Sequence, residues 1–341
     1  MSTRVAINGF GRIGRQAFKV ASQRPDLEIV AINDIGDVEN MAYLLKYDSV
    51  HRRDDQDVHA DGSSLVVEGQ TYPILSVKDP LELPWADLGV DVVIESTGRF
   101  ATREQATAHL QAGAKRVVVS APAKGAPIFV LGVNEGEYDA EQDTIISNAS
   151  CTTNSVTPVM AILDETFGVQ KALMTTIHSY TADQRLVDSP HEDWRRGRAA
   201  AQNIVPTSTG AARAATEALP KLKGLFDGVA LRVPTIDVSL SDLTVLLKTK
   251  TSTEAINQAF RDAASSDRFR GILQASDEPL VSADFIGNPA SCIVDLELTQ
   301  LIDGDFLKVF AWYDNEWGYA NRLVEEVAMV GKSLEREVTS V

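Results

Sequence analysis

Arg4–Val20 reads RVAINGFGRIGRQAFKV, and the order of its parts decides the fold. A β-type run from Val5 to Asn8 leads into Gly9, Gly11 and Gly14 at the spacing G-x-G-x-x-G, and a helical pattern carrying Ile13, Ala17, Phe18 and Val20 follows. In such a unit the first glycine permits the tight turn and the second lets the backbone approach a pyrophosphate. The third lets helix and strand pack closely. The spacing alone also occurs in βα turns that bind nothing. Here, however, the next strand-like run, EIVAIND, ends in Asp34, 20 residues after Gly14, where a carboxylate can bond both hydroxyls of an adenosine ribose. Strand, glycines, helix, strand and acid together predict a dinucleotide site. Asp34 would repel a 2′-phosphate, and no Arg or Lys within INDIGDVEN offsets it, so NAD is expected rather than NADP.

Outward from this unit, the apolar runs VDVVIEST, RVVVSAP, PIFVLGV and TIIS recur at short intervals, with the helical TREQATAHLQAGA between the first two. Alternating strands and helices of this size predict a doubly wound parallel sheet, a Rossmann-type α/β domain over residues 1–150. Ligands lie at the carboxyl ends of such strands, which makes Thr97 and Ser120 candidates to line the nicotinamide half. HRRDDQD reads as a solvated mixed-charge loop. Beyond Cys151, KALMTTIHSYTADQR is a strand leading to His178, and LVDSPHEDWRRGRAAAQNIVPTSTG is a long polar loop of the kind that carries function. GVALRVPTIDVSLSDLTVLLK reads as one long strand region, with further strands around SCIVDLEL and LKVFAWYDNE. These predict an α+β domain with a largely antiparallel sheet over residues 151–315. The terminal stretch 316–341 is an amphipathic helix whose apolar face holds Leu323, Val324, Val327 and Val330.

The 341 residues suffice for two domains, and 44% hydrophobic against 23% charged residues is the balance of a globular protein. No apolar run of about 18 residues is present to span a bilayer, and the chain opens on a strand-like run rather than a leader, so the cytoplasm is the expected compartment. A net charge of −16 argues against nucleic acid and anionic membranes as partners. It also means that a phosphate-bearing ligand needs local positive charge. Two cysteines, Cys151 and Cys292, fit a reducing compartment and exclude a disulfide framework or a Cys-rich metal site.

Ser147–Ser155, SNASCTTNS, places Cys151 where a strand ends and a helix begins, with Ser150 as its N-cap. The N–H groups and dipole of a helix start favour negative charge, so the thiol pKa is expected to fall. Among five histidines, His178 alone ends a predicted strand followed by a polar loop. A thiol beside a dinucleotide has a definite chemistry: it adds to an aldehyde, and the C–H of the thiohemiacetal is a good hydride donor to a nicotinamide. His178 would polarise the thiol and take the hemiacetal proton. Arg195, Arg196, Arg198 and Arg232 offer guanidinium forks for phosphate, while Thr181, Thr209 and Gly210 add hydroxyl and backbone donors.

The motifs NGFGRIGR, SNASCTTN, TIHSYTADQR, DWRRGRAAAQNIVPTSTGAA, LRVPT and WYDNEWGY, in this order, resemble phosphorylating glyceraldehyde-3-phosphate dehydrogenase over essentially the whole chain. The resemblance implies a homotetramer that oxidises glyceraldehyde 3-phosphate with NAD and inorganic phosphate to 1,3-bisphosphoglycerate. It makes residues 151–315 the catalytic and oligomerisation domain, Cys151 the nucleophile and His178 its activator. It gives Thr181 and Arg232 the substrate's own phosphate, and Ser150, Thr152, Thr209, Gly210 and Arg196 the attacking phosphate or its neighbourhood. Gly9, Gly11, Arg12, Ile13, Gly14, Asp34, Lys78, Ser120 and Asn315 fall to the cofactor, and the helix over 316–341 returns to the cofactor domain. Ser155 stands where many members have a second Cys, so no local disulfide to Cys151 can form; Cys292 reads as inert core. Pro190 and Ile35 resemble the NAD-using type. The alternatives are erythrose-4-phosphate dehydrogenase, whose relatives tend to lose the Thr found here at 181, and a non-catalytic nucleotide-binding scaffold, which would not need both Cys151 and His178.

Overall fold

A computed structural model of the chain describes residues 2–339, the last five of these by backbone only. The chain forms two compact units. The first takes residues up to Phe129, Glu137–Ala149 and the chain from Ala320 onward; the second takes Val130–Gly136 and Ser150–Tyr319.

In the first unit β1 (Thr3–Asn8), α1 (Arg12–Ala21) and β2 (Leu27–Asn33) realise the opening motif. There follow α2 (Val38–Lys46), the short β3 (Tyr47–Asp48) and β4 (Arg52–Arg53), then β5 (Val58–Asp61), β6 (Ser64–Val67) and β7 (Gln70–Leu75). β8 (Val92–Glu95), α3 (Arg103–Gln111), β9 (Arg116–Val119) and β10 (Ile145–Ser147) complete it. The eight-stranded sheet has the order β10-β9-β8-β1-β2-β7-β6-β5. Strands β10 through β7 run parallel, and β8 and β9 are buried along their whole length, which is why each carries three consecutive apolar residues rather than an alternation. The β5–β7 meander is antiparallel and extends the expected parallel sheet. Its second hairpin turns on Glu68 (φ 50°) and Gly69 (φ 77°), two left-handed residues in a row as a type I′ turn requires.

PIFVLGV does not form the strand its composition predicts. Ile128 makes one isolated bridge to Ser147, and the chain then turns, with the Asn134 side chain accepting from the Val130 N–H at 2.8 Å. A buried apolar run beside a sheet edge needs no ladder if a side chain satisfies its backbone.

The second unit opens with α4 (Cys151–Phe167), followed by β11 (Val169–Ser179), β12 (Val205–Ser208), α5 (Ala211–Ala218), β13 (Phe226–Val233) and β14 (Ser239–Leu247). Then come α6 (Thr253–Ser265), β15 (Leu273–Ser276), β16 (Cys292–Ile302), β17 (Phe306–Tyr313) and α7 (Trp317–Thr339). The seven-stranded sheet runs β12-β13-β11-β14-β17-β16-β15. Four of its pairings are antiparallel and two parallel, in keeping with the largely antiparallel sheet expected. GVALRVPTIDVSLSDLTVLLK is two strands rather than one: the chain breaks after Val233, passes Pro234 and a left-handed Val238 (φ 66°), and β13 and β14 flank β11 on opposite sides. β14 alternates buried and part-exposed positions over nine residues. Its inward Leu243 and Val245 pack with Val156, Val159, Met160 and Leu163 of α4, and Cys292 lies fully buried in the same core.

From Ala320 onward α7 belongs to the first unit, where Leu323, Val324, Val327 and Val330 join Val5, Ile7 and Phe18 in one apolar cluster.

Candidate active site

The carboxyl edge of the first sheet is shaped by its glycines. A Cβ on Gly14 would lie 2.0 Å from the Gly9 carbonyl, so α1 crosses the turn too closely for any side chain. Gly9 holds φ 97°, and a Cβ there would strike the Thr97 backbone at 2.6 Å. Gly11, by contrast, has nothing within 4 Å of where its Cβ would be, and it caps α1 without a side-chain bond. An open helix start with no side-chain cap is suited to a pyrophosphate, and the residues present fit NAD. Asp34 follows β2 directly; its Oδ2 accepts from the Phe10 N–H at 2.7 Å and its Oδ1 from the Gly36 N–H at 2.9 Å. Ile35 beside it is half exposed. Arg12 turns its guanidinium to Asp48 at 2.8 Å, leaving its backbone at the helix start. Lys78 is exposed on the loop after β7, Ile13 is half-buried in α1, and the Ser120 N–H donates to the Glu95 carbonyl at 2.9 Å.

In the second unit the thiol sits on the first residue of α4. The turn that precedes it is strained, Ala149 holding φ 53°, a conformation that costs an L-residue about 1–2 kcal/mol. Ser150 is the N-cap: its Oγ accepts from the Thr153 N–H at 3.1 Å, a contact worth about 1 kcal/mol. Gly168 (φ 70°) ends the helix.

β11 carries His178 to the same place. Cys151 Sγ lies 3.4 Å from His178 Nε2. Arg232, directly opposite His178 in the parallel β11–β13 register, brings Nη1 to 2.6 Å from His178 Nδ1. Ser179 carbonyl oxygen is 2.7 Å from the same nitrogen. These two neighbours select opposite tautomers. Nδ1–H donating to Ser179 leaves a lone pair on Nε2 to receive the thiol proton; Nδ1 accepting from Arg232 puts the hydrogen on Nε2, aimed at sulfur. The first suits proton abstraction and the second proton return.

Burial pushes the Cys151 thiol up to about 11, with the Arg232 charge opposing it. Burial, then the Arg232 charge, push His178 down to about 3. The sequence alone predicts a lowered thiol pKa; burial works in the opposite direction here, against the Arg232 charge and the helix-start N–H of Thr152.

The other predicted residues surround this pair in part. Thr152 is buried, and its hydroxyl meets Tyr313 Oη at 2.9 Å rather than facing outward. Tyr313 Oη also meets Thr176 Oγ1 at 2.8 Å, and its ring stands edge-on to His178 at 6.1 Å. Thr181 Oγ1 donates to Asp183, which also receives Arg196 Nη1 at 2.7 Å. Thr209 Oγ1 accepts from the Ala211 N–H at 3.1 Å, and Gly210 caps α5 with no side chain near it. Thr153 Oγ1 reaches the Ala211 carbonyl at 3.5 Å, so α4 and α5 start side by side. Asn315 is buried, its Oδ1 accepting from Ser239 Oγ at 2.7 Å. Sequence reading missed Tyr313, Asp183 and Ser239; the signal for Tyr313 was a phenol at a buried position closing the alternating strand β17.

Two family models match the chain: the glyceraldehyde 3-phosphate dehydrogenase NAD binding domain over residues 3–103 and the C-terminal domain of the same enzyme over residues 150–315. The chain belongs to the glyceraldehyde-3-phosphate dehydrogenase family. It is 50% identical over 333 residues to glyceraldehyde-3-phosphate dehydrogenase 1 of Bacillus subtilis, covering 97% of this chain and 99% of that one. It is 50% identical over 331 residues to the Geobacillus stearothermophilus enzyme, covering 97% and 98%. Against the Streptomyces coelicolor enzyme the figures are 49% over 336 residues, covering 98% and 100%. As a glyceraldehyde-3-phosphate dehydrogenase family member it carries the NAD-binding unit ahead of the catalytic one, in the order in which the glycine motif and Cys151 occur.

Proposed function

We propose that Cys151 is the nucleophile and His178 its proton partner, and the observation that carries this is the 3.4 Å contact between Cys151 Sγ and His178 Nε2 at the start of α4. The chain is an NAD-dependent phosphorylating glyceraldehyde-3-phosphate dehydrogenase, converting D-glyceraldehyde 3-phosphate and inorganic phosphate to 1,3-bisphosphoglycerate. As sulfur adds to the aldehyde carbon, His178 Nε2 takes the thiol proton and returns it to the new alkoxide, giving a thiohemiacetal on Cys151. NAD, when bound, supplies the acceptor for the hydride that leaves this carbon. His178 takes the hydroxyl proton in that step, and Cys151 keeps the acyl group as a thioester. Inorganic phosphate attacks the thioester carbon, the C–S bond breaks, and the sulfur recovers its proton.

In this reading Arg232 and Thr181 hold the substrate's phosphate, while Ser150, Thr152, Thr209, Gly210 and Arg196 serve the attacking one. Asp183 occupies the Thr181 hydroxyl and Arg196, so an arriving phosphate must displace a carboxylate from both. Thr152 serves through its backbone at the helix start, since its hydroxyl is taken by Tyr313. Gly9, Gly11, Arg12, Ile13, Gly14, Asp34, Lys78, Ser120 and Asn315 hold NAD, with residues 1–150 and the stretch 316–341, of which 1, 340 and 341 lie outside the described residues, as the cofactor domain and 151–315 as the catalytic domain. The reaction itself is tested by NADH formation from glyceraldehyde 3-phosphate, which is expected to require phosphate or arsenate; equal steady rates without either would contradict it.

The second unit exposes Leu173, Val229, Ile302 and Phe306 on its sheet strands and Leu186, Val187 and Trp194 in the long loop, Trp194 at 88%. So much apolar surface supports a homotetramer. Sedimentation is expected to return a tetramer mass, and a monomer mass would overturn this. Both cysteines are free thiols, which supports a cytoplasmic location. Among the described residues no helix is long and apolar enough to cross a membrane.

A further inference from the structure

Glu95, the last residue of β8, is buried to 2% exposure in the first unit, and no step of the reaction uses it. Its Oε2 receives Asn8 Nδ2 at 2.6 Å and faces His109 Nε2 at 2.9 Å. Its Oε1 receives the Thr97 N–H at 2.8 Å and the Thr97 hydroxyl. Trp85 Nε1, which can only donate, meets His109 Nδ1 at 3.0 Å. That fixes the fully buried His109 with its proton on Nε2, directed at Glu95. The chain of bonds continues the other way. Asn33 Nδ2 donates to Asn8 Oδ1 at 2.7 Å, and Asn33 Oδ1 accepts from the Val77 N–H at 2.9 Å.

Three segments at the carboxyl edge of the sheet therefore depend on one carboxylate. The Ser96–Thr97–Gly98 turn hangs on it directly, and Ser96 Oγ in turn donates to the Gly9 carbonyl at 2.8 Å. Asn33 immediately precedes Asp34, and Val77 immediately precedes Lys78. We infer that Glu95 is a positioning residue for NAD: as a four-donor hub it sets the glycine turn, the ribose carboxylate and the Lys78 loop in one fixed arrangement before the cofactor arrives. This rests on the reading that NAD lies along that edge.

The amide of Glu95→Gln cannot reproduce the hub. Turned one way its NH2 faces the Thr97 N–H; turned the other it faces His109 Nε2–H and an Asn8 amide that cannot flip without losing Asn33. An unmet buried donor, with the loops loosened around it, is expected to weaken NAD binding by about tenfold to a hundredfold. The rate at saturating NAD should fall by less than about threefold, because preorganisation of the cofactor enters the affinity. Titration of NAD by quenching of protein fluorescence reads the first quantity. Val93→Ala, a cavity in the same strand that touches none of these bonds, is the control for lost stability: it should lower the melting temperature yet leave NAD affinity within about threefold. Unchanged affinity in Glu95→Gln, or equal loss in Val93→Ala, would overturn the inference. If Glu95→Gln does not fold, His109→Phe, which removes the Nε2–H donor from Glu95, is measured the same way; weakening of about threefold or more supports the hub and unchanged affinity overturns it. Asp34→Ala separates the premises: if it binds NAD normally, the placement of NAD fails rather than the role of Glu95.

Discussion

Cys151→Ser is expected to lower kcat for phosphate-dependent NAD reduction by about 10⁴-fold or more while leaving the NAD dissociation constant within about twofold. The loss is large because three properties of sulfur are used in succession. In the proposed mechanism the thiol gives up its proton to His178 across 3.4 Å, and a serine hydroxyl, far less acidic and on a shorter bond, would sit farther from Nε2. The adduct must then expel a hydride, and the acyl product must yield to phosphate; an oxygen ester in place of a thioester is much the poorer leaving partner. NAD affinity is expected to be spared because the residues proposed to hold NAD, all but Asn315, belong to the other unit. Residual turnover near the wild-type rate would remove Cys151 from the mechanism.

For His178→Asn the expected loss in kcat is about 10²- to 10⁴-fold, the range for a positioned acid–base group. The diagnostic quantity is the alkylation rate of Cys151 by iodoacetamide. With no base on β11, only ionised thiol reacts, and burial pushes that thiol up to about 11. Below this value the thiolate fraction grows about tenfold per pH unit, so the variant's alkylation should be slow at neutral pH and climb steeply as pH rises. The wild-type rate should be faster at pH 7 and flatter, because His178, pushed down to about 3, remains an unprotonated acceptor across that range. Equal rates in the two proteins would show that His178 does not activate the thiol.

These expectations were legible in the sequence to unequal degrees. The opening βαβ unit was readable because its motif rests partly on local geometry: a Cβ on Gly14 has no room against the Gly9 carbonyl, and Gly9 itself holds φ 97°. Ser150 as a cap and Cys151 at a helix start were readable for the same local reason. The thiol's ionisation was not, because desolvation depends on what β11, β13 and β17 pack around it, and the helix start is the smaller effect. PIFVLGV looked like a strand because burial and strand propensity share a composition; only the Asn134 side chain reveals that its backbone is satisfied another way. The split of β13 from β14 was hidden because Val238 turns the chain although β-branched residues avoid positive φ. The Glu95 hub joins residues far apart in sequence, Asn8, Asn33, Trp85 and His109, and no spacing rule relates them.

The most direct test of the account is the amount of NADH formed when glyceraldehyde 3-phosphate and NAD are mixed with the protein in the absence of phosphate. A thioester on Cys151 that waits for phosphate predicts a burst of up to one NADH per chain, a matching 3-phosphoglyceryl mass on the peptide containing Cys151, and steady turnover once phosphate is added. No burst and no adduct, or steady turnover at the full rate without phosphate, would contradict it.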